Sequence, residues 1–311
     1  ATVVAGLYGT LTINPDGTYR YVVNNASDAV QRLSAGEQLV EFFSYRLTDT
    51  GGLNDVAQLR IVIQGANDNP LASDDAATAQ AASTNGNASE SNPSGNVVQF
   101  PSRPGTITQP GGNGVDQDVD ANDQPSSQLL VNGVINKSEA SYNPAVDVLS
   151  GVATGTTSAN GTVVVGLYGT LRIGADGSFF YDVDSTNAAV QALASGQTLT
   201  EFFTYRVTDT TGLTDTAQLV ITVRGVNDPP VAQDVIALAT EQGGVGNATP
   251  GVNPSGDVTA NDTDPDGDDL TVTLIKTGAT GDPGTPIAVN IGGTVIAGLY
   301  GPLTIFPDGS Y

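Results

Sequence analysis

"QLRIVIQGANDNP" (residues 58–70) recurs as "QLVITVRGVNDPP" (residues 218–230), 160 positions further on. Apolar residues alternate through Leu59, Ile61 and Ile63 and then give way to Gly65, Asn67, Asp68 and Pro70. Alternation with a period of two is the pattern of a half-buried β-strand. Proline ends such a strand because it cannot donate to the ladder. The fold follows from how much of the chain repeats around this signal. Residues 6–70 align without gaps on 166–230. "GLYGTLTINPDGTYRY" begins at Gly6, "GLYGTLRIGADGSFFY" at Gly166 and "GLYGPLTIFPDGSY" at Gly298. A sequence repeated at such intervals indicates a tandem array of like domains.

Cutting at the Asn-Asp-Pro signals gives three segments. Residues 1–70 form the C-terminal part of a first repeat, 71–230 a complete second repeat, and 231–311 the N-terminal part of a third. The second carries a Gly/Pro-rich insertion near 98–117, expected to be a surface loop. With no methionine at all, the 311 residues are expected to be a piece of a longer chain.

Within each segment the elements are short strands. "GTLTI" and "TYRYVV" flank "NPDG", a β-turn sequence, and are expected to form a hairpin. "EFFSYRLTD" and "AQLRIVIQG" flank "TGGLND" and predict a second. "DAVQRL" (28–33) and "AAVQAL" (188–193) allow one or two helical turns. Strands at this spacing predict an all-β chain of β-sandwiches. Its core is expected to contain Tyr8, Leu11, Ile13, Tyr21, Leu39, Phe43, Tyr45, Leu47, Leu59, Ile61 and Ile63, with their counterparts 160 residues on.

Composition narrows the chemistry. Thirty-three acidic residues against ten basic ones give a net charge of −23, which repels nucleic acid and anionic membranes and attracts cations. Cysteine, histidine, methionine and tryptophan are absent, so disulfides, thiolate or imidazole metal sites and histidine catalysis are excluded. No apolar run is long enough to span a bilayer.

One Asn-Asp pair at a strand end reads by itself as an Asx-turn. Its recurrence at a repeat boundary adds a second reading, cation binding. Further carboxylates follow each pair: Asp74 and Asp75 after the first, Asp234 after the second. The third segment holds "ANDTDPDGDDL", with Asp262, Asp264, Asp266, Asp268 and Asp269 in eight residues. Aspartates alternating along a turn converge oxygens on one point, which suits calcium better than magnesium or zinc. This is not an EF-hand, because Thr273 stands at the twelfth position from Asp262 where a glutamate is required.

The order "E-F-F-x-Y-R-x-T-D-x-x-G", "G-x-N-D-x-P", "A-N-D-x-D-P-D-G-D" resembles the VCBS repeats of giant bacterial surface proteins, which are cadherin-like. That resemblance covers nearly the whole chain. It implies Ig-like sandwiches whose joints share calcium between a Glu of the upper domain, the Asn-Asp linker and an Asp-x-Asp of the lower one. At the second joint it implies Glu201, Asn227, Asp228, Asp262 and Asp264 as ligands, with Asp234, Asp266 and Asp268 beside them. At the first it implies Glu41, Asn67, Asp68 and Asn69, with Asp74 nearby. Below that joint "DVDANDQPSSQLL" retains Asp120 and Asp123 but has Gln124, Pro125 and Ser126 where the third segment has more carboxylates, so a weaker first site is expected. Asp49 and Asp209, in "T-D-x-x-G" turns, read equally as turn caps or ligands, whereas Asp16 and Asp176 read as hairpin-turn residues. Asn-x-Ser/Thr strings at Asn25, Asn87 and Asn247 read as chance in this composition.

The leading expectation is a non-enzymatic, calcium-rigidified stalk in a secreted or surface adhesin. Its partners would be neighbouring repeats of the same chain. The runner-up is a filament subunit whose copies join by strand addition. A carbohydrate-binding module is a third reading, weakened by the lack of tryptophan. Sequence alone names no surface or glycan target.

Overall fold

A computed structural model describes residues 1–83, 88–98, 115–120 and 128–311. Most of the expected insertion loop lies outside the described residues, as do Asn87, Asp123, Gln124, Pro125 and Ser126. The first repeat segment contains β1 (Thr2–Ala5), β2 (Gly9–Ile13), β3 (Tyr19–Val23), the single-turn helix α1 (Asp28–Gln31), β4 (Gln38–Thr48) and β5 (Asn54–Gln64). The second contains β6 (Asp75–Gln80), β7 (Ser94–Asn96), β8 (Leu130–Ile135), β9 (Ser150–Gly151), β10 (Thr162–Val165), β11 (Gly169–Ile173) and β12 (Ser178–Val183). It continues with α2 (Ala188–Gln191), β13 (Thr198–Thr208) and β14 (Thr214–Arg224). The third contains β15 (Leu274–Ile275), β16 (Ile287–Ala288), β17 (Thr294–Ala297) and β18 (Pro302–Ile305).

By packing, the chain divides into two compact units. One comprises Ala1–Ala79, Asn92–Asp184 and Thr200–Val223, and the other Gln80–Ser91, Ser185–Leu199 and Arg224–Tyr311. The three-segment cut at the Asn-Asp-Pro signals is a division by repetition and stands beside this one as a proposal.

In the first unit both expected hairpins form. β2 pairs antiparallel with β3, from Gly9 opposite Val23 to Ile13 opposite Tyr19. The turn between them closes through Gly17, whose φ of +85° places it in the left-handed region that glycine adopts freely. β4 and β5 pair over eleven residues, Gln38 opposite Gln64 through Thr48 opposite Asn54. The second repeat has a sheet ordered β10-β11-β12-β7 and another ordered β6-β14-β13-β8-β9. Leu171, Ile173, Phe179 and Tyr181 from the one meet Phe203, Tyr205, Val207, Leu219, Ile221 and Val223 from the other, all fully buried. The Tyr181 and Phe203 rings pack edge-to-face at 6.1 Å. Each such side chain contributes about 1.5–3 kcal/mol of burial free energy, so this face-to-face core holds the sandwich.

The first repeat segment departs from the expected core at two positions. Tyr45 is 36% exposed and Leu47 60%, whereas their counterparts Tyr205 and Val207 are fully buried. The reason is topological: β13 has β8 along its second edge, while β4 pairs only with β5 among the described residues.

In the second unit, α2 begins at Asn187, whose side chain accepts from the Ala189 N–H. It buries Val190, and Leu193 just beyond it is buried too. β15 pairs with β16 and β17 with β18, and isolated bridges join Val231 to Thr263 and Asp257 to Ser310. No helix among the described residues is long and apolar enough to cross a membrane.

Candidate metal centre

Beyond β5 and beyond β14 the chain makes the same set of contacts twice. Asn67 Nδ2 donates to the Asp68 carbonyl at 2.8 Å, and Asn227 Nδ2 to the Asp228 carbonyl at 3.0 Å. The Asp68 N–H donates to Asp120 Oδ2 at 2.7 Å, and the Asp228 N–H to Asp266 Oδ2 at 2.6 Å. Leu71 bridges Gln117 as Val231 bridges Thr263. The Ser73 N–H then reaches Asp116 Oδ1 at 2.8 Å, as the Gln233 N–H reaches Asp262 Oδ1 at 2.7 Å. Within each row the third aspartate donates its N–H to the second, Asp120 to Asp118 and Asp266 to Asp264, both at 2.9 Å.

This register corrects one expectation. The shared string Ala-Asn-Asp suggests Asp123 as the partner of Asp262, but the ladder gives that role to Asp116. The rows that correspond are Asp116-Asp118-Asp120 and Asp262-Asp264-Asp266. Backbone pairing at Leu71 and Val231 decides which residues face the linker, and the Ala-Asn-Asp strings fall on different sides of it. The first joint therefore has a full row of three aspartates, Asp116, Asp118 and Asp120. Counting on from the row, Asn122 stands where the other copy has Asp268, and Asn122 is outside the described residues.

The two glutamates make matching contacts inside their own repeat segments. Glu41 accepts from the Leu7 N–H at 2.8 Å and from the Tyr21 hydroxyl. Glu201 repeats this with the Leu167 N–H at 2.7 Å and the Tyr181 hydroxyl, and adds Asn136 Nδ2 at 3.1 Å. Both glutamates are buried. Each ties the Gly-Leu-Tyr-Gly loop of its own repeat to its long strand. Gly166 is obligatory beside it, because a Cβ there would collide with Glu201 Oε2.

Asp209 fills a place at the first joint. Its Oδ1 accepts from the N–H groups of Thr211, Gly212 and Leu213 at 2.8, 2.5 and 2.8 Å, while Oδ2 accepts from Asn67 Nδ2 at 2.6 Å. It thus caps its turn and meets the linker at once. Burial acts to raise its pKa, but the Asn67 and backbone hydrogen bonds outweigh this and leave it lowered. Asp74 is exposed and accepts from Gln218 Nε2 at 2.9 Å, Asn69 and Asp234 are exposed, and Asn227 is exposed beside a buried Asp228. Asp264, Asp266 and Asp268 bring one carboxylate oxygen each within 4.8 Å of one another.

The first joint gathers buried carboxylates. Asp75, Asp116, Asp118 and Asp120 are at most 3% exposed. Burial pushes the Asp116 carboxyl up to about 8; the Ser73 N–H opposes this and the Asp75 charge adds to it. Asp116 Oδ2, Asn67 Oδ1 and, in the other copy, Asp266 Oδ1 are buried with no hydrogen-bond partner among the described residues. Each orphaned atom costs about 1–3 kcal/mol unless something engages it. A hard cation with six to eight oxygen ligands fits this donor set, which has no nitrogen or sulfur ligands.

Asp116 and Asp118, absent from the ligands expected from sequence, lie in "DQDVD". Its alternation matches "DTDPD" directly, and that alternation, read ahead of the Ala-Asn-Asp string, was the available signal.

The chain is similar to the following known proteins. Residues 227–307 match the family described as Bacterial Ig domain. The calcium-binding lectin RapA2 of Rhizobium johnstonii (strain DSM 114642 / LMG 32736 / 3841) is 28% identical over 228 residues, covering 73% of this chain and 76% of that protein. Among solved structures, extracellular cadherin domains 1–4 of protocadherin gamma B7 are 13% identical with a TM-score of 0.37, over 99% of this chain and 57% of that one. Domains 1–5 of protocadherin gamma B2 are 12% identical with a TM-score of 0.40, over 98% of this chain and 45% of that one. The chain thus spans little more than half, or less, of those cadherin chains. The elements of the described residues are thus almost all β-strands, and residues 227–307 are similar to a bacterial Ig domain.

Proposed function

We propose that this chain is a stalk segment of a secreted bacterial surface adhesin, in which calcium bound at each repeat joint stiffens the array. The observation that carries this reading is the buried aspartate row of the first joint. Asp120 of that row accepts from the Asp68 N–H of the linker, and Asp116 Oδ2 and Asn67 Oδ1 are buried without a hydrogen-bond partner among the described residues. A divalent cation there would neutralise the row, engage Asp116 Oδ2 and Asn67 Oδ1, and hold the linker to the sandwich that follows it. The ligands proposed are Asn67, Asp68, Asp116, Asp118 and Asp120 at the first joint, and Asn227, Asp228, Asp262, Asp264, Asp266 and Asp268 at the second. Glu41 and Glu201 act inside their own repeats as ties between sheets. The name of the rhizobial relative, a calcium-binding lectin, supports calcium as the ion.

The same name supports a second reading, in which the array itself binds a glycan in the presence of calcium. Glycan-array binding by the chain, tested with calcium and with EGTA, separates the two. A stalk segment gives no glycan signal in either condition but unfolds at a higher temperature with calcium; a lectin gives a calcium-dependent signal.

A further inference from the structure

We infer that the second repeat holds a further divalent-cation site inside its sandwich, built from Asp75, Asp116, the Ser73 and Val97 carbonyls and the Tyr205 hydroxyl. It rests on the proposed joint site through Asp116 alone, whose carboxylate the two ions would share. The five groups come from separate parts of the fold. Ser73 follows the linker, Asp75 opens β6, Val97 lies just beyond β7, Asp116 leads the aspartate row and Tyr205 stands on β13. The Tyr205 hydroxyl lies 2.7 Å from the Ser73 carbonyl and 3.0 Å from Asp75 Oδ2. It lies 3.3 Å from the Val97 carbonyl and 3.5 Å from Asp116 Oδ1. Tyr205, Val97 and Asp116 are fully buried, and Asp75 is 1% exposed.

A tyrosine hydroxyl has one proton to give. The short bond to the Ser73 carbonyl uses it, so three further oxygens crowd the hydroxyl without a proton from it. Two of the three belong to carboxylates, and carboxylates shut away from water need their charge offset. Asp116 Oδ2 is a second and separate sign. It is buried with no hydrogen-bond partner among the described residues, although Oδ1 of the same carboxylate accepts from the Ser73 N–H at 2.8 Å. Surplus acceptors around an orphaned carboxylate oxygen call for positive charge. A water molecule would bring protons but leave the charge, whereas a divalent ion matches two carboxylates. An all-oxygen donor set that includes main-chain carbonyls is the chemistry of calcium. The site is particular to this repeat. Leu71 and Ser73 correspond to Val231 and Gln233 through their matched bonds, so Val235 stands where Asp75 does. Valine offers no ligand oxygen, and the second joint has its aspartate row without an inner partner.

Native mass spectrometry of the whole chain in calcium counts the ions, and a calcium titration gives their affinities. Asp75→Asn keeps the side chain's shape and removes its charge. It is expected to bind one ion fewer than the parent, or to bind that ion at least about tenfold more weakly. Asp118→Asn, in the row at the linker, should weaken a different ion, so the double variant should lose both. Tyr205→Phe removes one neutral ligand and should weaken the inner ion severalfold while the ion count at saturating calcium stays the same. An ion count and affinities unchanged in Asp75→Asn overturn the inner site and leave the joint site standing. Loss of an ion in Asp75→Asn with none weakened in Asp118→Asn supports the inner site and removes the joint site. Where near-ultraviolet circular dichroism shows Asp75→Asn unfolded in calcium, Tyr205→Phe decides. One ion bound severalfold more weakly then supports the inner site, and parent-like affinities overturn it.

Discussion

The backbone N–H of Asp68 donates to the carboxylate of Asp120 at 2.7 Å, across fifty-two residues of sequence. The same bond joins Asp228 to Asp266 in the next copy. It holds the Asn-Asp pair against the aspartate row further along the chain. Carboxylate oxygens brought together in this way repel one another unless a cation or a proton offsets their charge, and each prediction below probes one part of that arrangement.

Asp116 rather than Asp123 should matter to the first joint. Asp116→Ala is expected to lower calcium affinity at one site by about tenfold or more, the effect of losing one buried, charged oxygen ligand. Asp123→Ala should leave affinity within about twofold of the parent chain, since the alternating row that faces the linker is Asp116-Asp118-Asp120. Calcium titration of the two variants in parallel checks this. Equal losses would return Asp123 to the site.

Removing the Glu201 carboxylate should damage stability and spare calcium binding. Glu201→Ala leaves the part-buried Leu167 N–H and the buried Tyr181 hydroxyl without their acceptor, a cost of about 2–4 kcal/mol. Urea unfolding measures the loss, and a calcium titration of the same variant should match the parent. A selective fall in calcium affinity with unchanged stability would make Glu201 a ligand after all.

Gly166→Ala should be as harmful, for a steric reason. The added methyl collides with the Glu201 carboxylate and must push it from its partners. A loss of about 2–4 kcal/mol is expected, in the range of overpacked or network-breaking substitutions. Pairing it with Glu201→Ala should give much less than the sum of the two, because both break one network. Full additivity would show that the glycine and glutamate act separately.

Much of the fold was legible because β-structure writes its period into the sequence. The alternation at Leu59, Ile61 and Ile63, the Asn-Pro-Asp-Gly turn and the 160-residue repeat give the hairpins directly. The exposure of Tyr45 and Leu47 was not legible, since it depends on which strands lie beside β4, a tertiary fact. At the site, the linker residues Asn67, Asp68, Asn227 and Asp228 could be read from recurrence. The role of Asp116 could not be read from the Ala-Asn-Asp match, because register is set by backbone pairing at Leu71 and Gln117. The contacts of Glu41 and Glu201 were hidden for a related reason. A conspicuous acid before an aromatic strand looks like a ligand, whereas its partners, Tyr21 and Leu7 or Tyr181 and Leu167, lie 20 and 34 residues away along the chain.

Thermal unfolding of the whole chain in calcium and in EGTA, repeated on Asp118→Asn, tests the central claim most directly. Calcium at a hundredfold excess over its dissociation constant should stabilise each occupied site by about 2.7 kcal/mol. The expected result is a clear rise in unfolding temperature for the parent chain, reversed by EGTA and reduced in Asp118→Asn. Identical unfolding curves with and without calcium would contradict the account, and the Asn-Asp-Pro signature would then be a strand-ending turn.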